Sequence, residues 1–149
     1  MSKSARSARV GSRQRPEVVT ENKTLTQAES GETYFVSNDG PRDALVMTLP
    51  TPETGSYFKF ITTDGKAGID LRSSANHPLI GHAMQILASG SAHAGASLLH
   101  IGALRTGAHT KLVIPLSASA GSFVECVSDG QSWFVNAQVS GVLPQFSDS

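Results

Sequence analysis

The chain has 149 residues, of which 16% are charged, 6% aromatic and 39% hydrophobic, as expected for a single folded domain. Its one cysteine, Cys126, excludes an intramolecular disulfide framework and a cysteine-based metal cage. No apolar run approaches the ~18 residues of a transmembrane helix, and the N-terminal residues lack the apolar stretch of a secretory signal, so we expect no membrane partner.

The zero net charge conceals a basic arm on an acidic body. Residues 1–15 hold five of the 12 Lys and Arg residues and no Asp or Glu, so the rest of the chain has a net charge of −5. The basic residues of the arm are Lys3, Arg6, Arg9, Arg13 and Arg15. Because the arm has almost no apolar side chain, it cannot form a core. We therefore divide the chain into a basic N-terminal arm (residues 1–16), expected to be flexible, and a β domain (residues 17–149).

The arm has two interpretations. Its charge would attract any polyanion, nucleic acid included. However, it has no aromatic side chains on which bases could stack, and the body behind it is acidic. Docking of the arm onto an acidic protein surface is therefore favoured, and nucleic acid is not the expected partner.

Alternation of apolar and polar residues predicts several short strands. Beyond Gly11, the longest stretch without Gly or Pro is residues 17–30, which is rich in β-branched residues that disfavour helix. The alternating segments lie at residues 45–49, 56–62, 84–88, 99–101 and 112–116, with turn sequences between several of them. The sequence therefore predicts an all-β fold, a single antiparallel β-sandwich or barrel-like domain.

The C-terminal part predicts a β-hairpin around Asp129 and Gly130, a pair typical of two-residue loops. This register places Cys126 opposite Trp133. The residues predicted to form the structural core, here and in the segment 56–62, are Phe58, Phe60, Val124, Cys126, Trp133 and Val135. The other face of the hairpin is half apolar and includes Phe134. Either a neighbouring subunit covers this face, or the hairpin lies inside the domain with both faces covered.

Residues 87–121 are unusually rich in small side chains, with 8 Ala, 5 Gly and 5 Ser among 35 residues. Small side chains let backbones approach closely, as in tightly packed strands or a subunit interface near a symmetry axis. A long flexible loop is the alternative. Together with the half-apolar hairpin face, this segment indicates a homotrimer.

Residues that could carry chemistry are spread thinly along the chain. The histidines are His77, His82, His93, His100 and His109, and their spacing matches no compact metal-ligand pattern. They could still meet around a three-fold axis, but neutral strand or loop histidines are favoured. There are no paired carboxylates at acid–base spacing and no Gly-x-Ser-x-Gly nucleophile motif. We therefore expect no enzyme, no metal and no cofactor.

One segment tests that expectation. Residues 67–74, Ala-Gly-Ile-Asp-Leu-Arg-Ser-Ser, are similar to the first motif of trimeric dUTP pyrophosphatases. The rest of that family's pattern, including its Gly-rich phosphate-binding tail and its tyrosine-bearing uracil loop, is missing. A short Asp-containing strand explains the match, and a small trimeric β enzyme ranks third among the interpretations.

A broader resemblance covers residues 24–62 and 122–140. It begins with a Leu-Thr…Glu-Ser-Gly-x-Thr-aromatic pattern at residues 25–34 and continues at residues 46–52 and 55–60. It closes with Ser-Asp-Gly-x-x-Trp at residues 128–133. The chain resembles small β-structured phage virion proteins, in particular capsid decoration (cement) proteins and modules of head or tail fibres, which are commonly trimeric.

The resemblance implies a structural virion protein, made in the host cytoplasm and located on the capsid surface. A decoration protein would use its arm to bridge subunits of the major capsid protein and stabilise the shell. A fibre module would instead bind a host receptor or glycan. Fibres usually contain coiled-coil or repeat segments, and none is visible here, so decoration is favoured.

Overall fold

The computed structural model describes residues 16–37, 43–64, 66–86, 98–141 and 144–148, and within residues 98–108 it describes the backbone only. Residues 1–15 of the predicted arm (residues 1–16) and the first part of the small-residue segment (residues 87–97) lie outside the described residues. The remainder of that segment, residues 98–121, contains two strands rather than one long loop.

The described residues form twelve strands and one short 3-10 helix, Gln27–Glu29, so the all-β prediction is confirmed. The strands are β1 Glu17–Val19, β2 Lys23–Thr24, β3 Thr33–Val36, β4 Leu45–Thr48, β5 Thr54–Thr62, β6 Ile69–Arg72, β7 Leu79–Ile86, β8 Leu98–His109, β9 Lys111–Ile114, β10 Phe123–Asp129, β11 Trp133–Ser140 and β12 Gln145–Ser147. In this part of the chain, no helix has the length and apolar character needed to cross a membrane.

The strands form two mixed sheets, so the antiparallel prediction is only partly right. The seven-stranded sheet has the order β1-β3-β5-β10-β11-β7-β8, and the five-stranded sheet has the order β12-β9-β6-β4-β2. Strands β1, β3 and β5 are parallel to one another, as are β2, β4 and β6, and β11 is parallel to β7. The other ladders are antiparallel.

The parallel ladders among β1 to β6 arise because the chain alternates between the sheets in this part. Each pass through one sheet is followed by a pass through the other, so strands two apart in sequence lie side by side in the same direction. The strand in the opposite sheet thus provides the crossover that parallel pairing requires. Alternation of apolar residues predicts a strand in either arrangement. The turn sequence at residues 29–32 connects different sheets rather than closing a hairpin.

The inward side chains of both sheets form one hydrophobic core. Tyr34 stacks on Phe60 with ring centroids 5.5 Å apart, and Phe58 packs at a tilt against Trp133 at 5.7 Å. All four rings are fully buried. Burial of large aromatic rings contributes strongly to stability, so this cluster holds β3, β5 and β11 together.

The C-terminal hairpin forms, but its predicted register is wrong by two residues. Ser128, rather than Cys126, lies opposite Trp133, and Cys126 lies opposite Val135. The wider loop is stabilised by Asp129, whose Oδ1 accepts hydrogen bonds at 2.8 Å from the backbone N–H groups of residues 131 and 132. A shift of two residues leaves every side chain on its predicted face.

Strand β7 places Leu79, Gly81 and Ala83 on the inner face and Ile80 and Met84 on the outer face. Gly81 has a φ of 147°, and a Cβ there would lie 2.0 Å from the carbonyl oxygen of Val135. Glycine therefore permits the close approach of β7 to β11. The outer face of β7 carries the apolar side chains of Ile80 and Met84.

Candidate functional site

The predicted site and core residues fall into two groups. The five basic residues of the arm lie outside the described residues. The six predicted core residues are all buried, with Val135 the most exposed at 3%. Burial raises the pKa of the Cys126 thiol far above its ordinary value, which makes it a structural thiol rather than a nucleophile.

The histidines with described side chains do not come together. His77 makes a 2.9 Å hydrogen bond through Nδ1 to the carbonyl oxygen of Gln131, and His82 is exposed on the outer face of β7. His109 is buried, with Nδ1 3.1 Å from Oδ1 of Asp148. Among the residues whose side chains are described, no group of three or more His, Cys, Asp or Glu could hold a metal ion.

A polar groove of about 630 Å³ lies on the outer face of the five-stranded sheet. At its base, Asp70 accepts hydrogen bonds from Nε and Nη2 of Arg72 at 3.2 and 2.7 Å, and Nζ of Lys111 lies 3.2 Å from its Oδ2. Alternation on β6 places Asp70 and Arg72 on the same face, and Lys111 faces Arg72 from the neighbouring strand β9. Exposed Glu21 and Asp43 also line the groove.

The Asp70 carboxylate is held in its ionised form. Burial by itself raises its pKa, but the hydrogen bonds from Arg72 and Lys111 outweigh burial and lower the pKa below the ordinary value. Both oxygens are already partnered by cations, so Asp70 is a poor general base. The arrangement ties β6 to β9 across the sheet.

Replacing Asp70 with Asn should lower the free energy of unfolding at pH 7 by about 1–2 kcal/mol, because Arg72 and Lys111 are left as adjacent like charges. The folded-state pKa is depressed, so the stabilisation is present above the unfolded pKa near 4 and is lost as pH falls through the folded value. Urea unfolding at pH 7 and pH 2.5 measures this difference. The control is Asp43→Asn in the same groove, which should have little effect, and a deficit undiminished at pH 2.5 would contradict the assignment to charge.

The outer face of the seven-stranded sheet presents three rows of side chains that cross the strands. Each row consists of residues that are direct cross-strand neighbours in the ladders joining β1, β3, β5, β10, β11 and β7. The first row is apolar and contains Tyr57, Val127, Phe134 and Ile80. The middle row is polar and contains Lys59, Glu125, Asn136 and His82. The third row is again mostly apolar and contains Val18, Phe35, Ile61, Phe123, Gln138 and Met84.

The middle row contains the charged pair of this face. Lys59 Nζ donates to Oε1 of Glu125 at 2.7 Å, and this hydrogen bond raises the pKa of Lys59. The same Nζ lies 4.8 Å from the centroid of the Phe123 ring, in the third row. The two charges cancel, so the three rows together are neutral at pH 7.

The apolar rows are open to solvent in the single chain. The exposed large hydrophobic residues of the described part are Val18 at 64%, Val127 at 46% and Phe134 at 46%, and all three lie on this face. A shallow groove of about 310 Å³ runs between the first and middle rows over β10, β11 and β7. Val127 and Phe134 are direct cross-strand neighbours, and adjacent exposed apolar side chains of this kind mark interaction sites.

Sequence reasoning found part of this face and missed the groove of Asp70. The hairpin alternation predicted a half-apolar outer face at Phe134. The network of Asp70 was missed because Lys111 is 41 residues away, and only the i, i+2 spacing of Asp70 and Arg72 signalled a shared strand face.

No protein-family model and no curated protein matches the sequence.

Proposed function

We propose that the chain is a structural virion protein that binds the outside of a phage capsid and stabilises it by bridging subunits of the major capsid protein. The proposal includes self-association, with three copies as the expected number. It assigns no reaction to the chain.

The observation that carries the proposal is the placement of the segments that resemble phage virion proteins. These segments, residues 24–62 and 122–140, are separated by about 60 residues in sequence. They contain β3, β5, β10 and β11, which are four consecutive neighbours in the seven-stranded sheet, and also β4 of the five-stranded sheet. Most of the resemblance therefore falls on one continuous set of strands, which supports reading it as a shared architecture rather than as scattered turn sequences.

The distribution of charge supports the same proposal. Several charges of the described body lie in local pairs, such as Lys59 with Glu125 and Asp70 with Arg72. The arm brings five positive charges without an acid. We assign the arm to the capsid contact, where acidic surface of the shell would attract it.

Thermal unfolding of empty shells from the encoding phage, with and without the purified protein, tests the proposal. A ligand that binds only the assembled shell stabilises it by mass action, by about 2.7 kcal/mol per site at 100 times the dissociation constant. We expect the shell transition to move upward with protein concentration. An unchanged transition, with the protein left in the supernatant after sedimentation, would contradict the proposal. Retardation of nucleic acid on a gel under the same conditions would indicate a different partner.

A further inference from the structure

We infer that the outer face of the seven-stranded sheet, defined by its three rows, is covered by a second copy of this chain. The inference deepens the proposed function, since it rests on the self-association included there and names the surface that mediates it. The sequence left open whether a subunit or the chain itself covers this face. In the described residues of the single chain, Phe134 and Val127 remain exposed.

The composition of the face is that of a protein interface rather than of a solvated sheet. Interface centres are enriched in aromatic residues and Met and depleted in charged residues. The three rows contain four aromatic residues and one methionine, and their two charged residues are paired with each other. The aromatic residues are Phe35, Tyr57, Phe123 and Phe134.

The order of the rows favours a second copy as the occupant. A polar row lies between two apolar rows, and all three run across the strands. Symmetric assembly is the rule for soluble homo-oligomers. A rotation axis parallel to the strands keeps each row at its own height, so the apolar rows of one copy meet the apolar rows of the next. The middle row of one copy meets the middle row of the next. Because each of these rows contains both Lys59 and Glu125, opposite charges are present on both sides of the contact.

Charge disfavours contact between two copies at acidic parts of the body. The chain beyond residue 15 has a net charge of −5, so two bodies repel each other. The three rows are neutral, and their approach costs no net repulsion. The groove of Asp70 on the opposite sheet, by contrast, is rimmed by Glu21 and Asp43.

The size of the face is sufficient for a specific contact. Six strands spaced about 4.8 Å apart and three rows spaced about 6.7 Å apart make a face on the order of 500 Å². Covering such a face on both partners buries on the order of 1,000 Å², which is where specific interfaces begin.

Sedimentation velocity and native mass measurement of the full chain test the inference. We expect the wild type to be an oligomer of the 15.6 kDa chain at micromolar concentration. Phe134→Glu should weaken association by at least about 30-fold, the size of an interface hot spot. Val127→Lys, with the opposite charge, should act in the same direction. The matched control is Thr24→Glu, which adds the same charge to an exposed strand position of the other sheet.

Each outcome decides the inference. Loss of the oligomer in both face variants, with unchanged circular dichroism and an intact oligomer in the control, supports it. A monomeric wild type, or an oligomer that survives both substitutions, overturns it, and the wild-type result stands even if a variant fails to fold. Binding of the same proteins to shells separates the two proposals. A monomer that still binds shells refutes the inference and the self-association in the proposed function but leaves the capsid role standing. An oligomer that depends on Phe134 but does not bind shells refutes only the capsid role.

Discussion

Replacing Trp133 with alanine should lower the free energy of unfolding by about 3–5 kcal/mol, the cost of removing a large buried aromatic side chain. Trp133 is fully buried and packs against Phe58, with Leu79 and Ser128 as its cross-strand neighbours. The cavity would open between β5, β7 and β11, in the centre of the seven-stranded sheet. Chemical denaturation followed by circular dichroism measures the loss.

Trp133→Phe is the matched variant. The indole Nε1 is buried without a hydrogen-bond partner among the described residues, so phenylalanine removes volume without breaking a hydrogen bond seen there. We expect it to cost about 1.5 kcal/mol or less, because most of the ring volume is retained. Equal losses for the two variants would show that packing of the ring is not what Trp133 contributes.

Replacing Arg6, Arg9, Arg13 and Arg15 together with Ser should weaken binding to capsid shells at least about fourfold, since exposed ion pairs contribute about 0.2–1 kcal/mol each. Deleting residues 1–15 should abolish most binding but leave the unfolding temperature of the body nearly unchanged, because the arm has almost no apolar side chain to bury. Co-sedimentation with shells and thermal unfolding measure the two effects.

The same four positions changed to Lys are the control for charge. Lysine keeps the positive charges, so this variant should bind shells nearly as the wild type does. Wild-type binding should also weaken with added salt, because exposed charges are screened over about 8 Å at physiological ionic strength. Full binding by the Ser variant at moderate salt would show that the charge of the arm is not the cause of attachment.

The strands of this protein were predictable because their alternation reflects burial on one side of a sheet. Leu45 and Met47 in β4, and Phe58 and Phe60 in β5, point into the core as their spacing indicates. The direction of pairing was not predictable in the same way. An inward–outward alternation is common to parallel and antiparallel strands, and the choice depends on which sheet each connection leads to. The two-residue shift of the hairpin has a local cause, the hydrogen bonds of Asp129 to the loop backbone.

In the candidate surfaces as well, the features set by local alternation were predictable and those set by strand pairing were not. Phe134 was identified as an outward-facing apolar residue because side chains alternate between the two faces of the hairpin. A register error of two residues leaves each side chain on the same face. Tyr57 and Ile80 lie in the same row as Phe134 only because β5 pairs with β10 and β7 pairs with β11, and the sequence does not specify these pairings. Lys111 meets Asp70 for a similar reason, since β6 and β9 are paired although 38 residues separate their ends.

The mass of empty shells before and after incubation with the protein tests the central claim most directly. If the chain decorates the capsid, the shells gain a saturable mass that is a multiple of 15.6 kDa, and the gain disappears for the chain without residues 1–15. Shells whose mass is unchanged at saturating protein concentration would contradict the account.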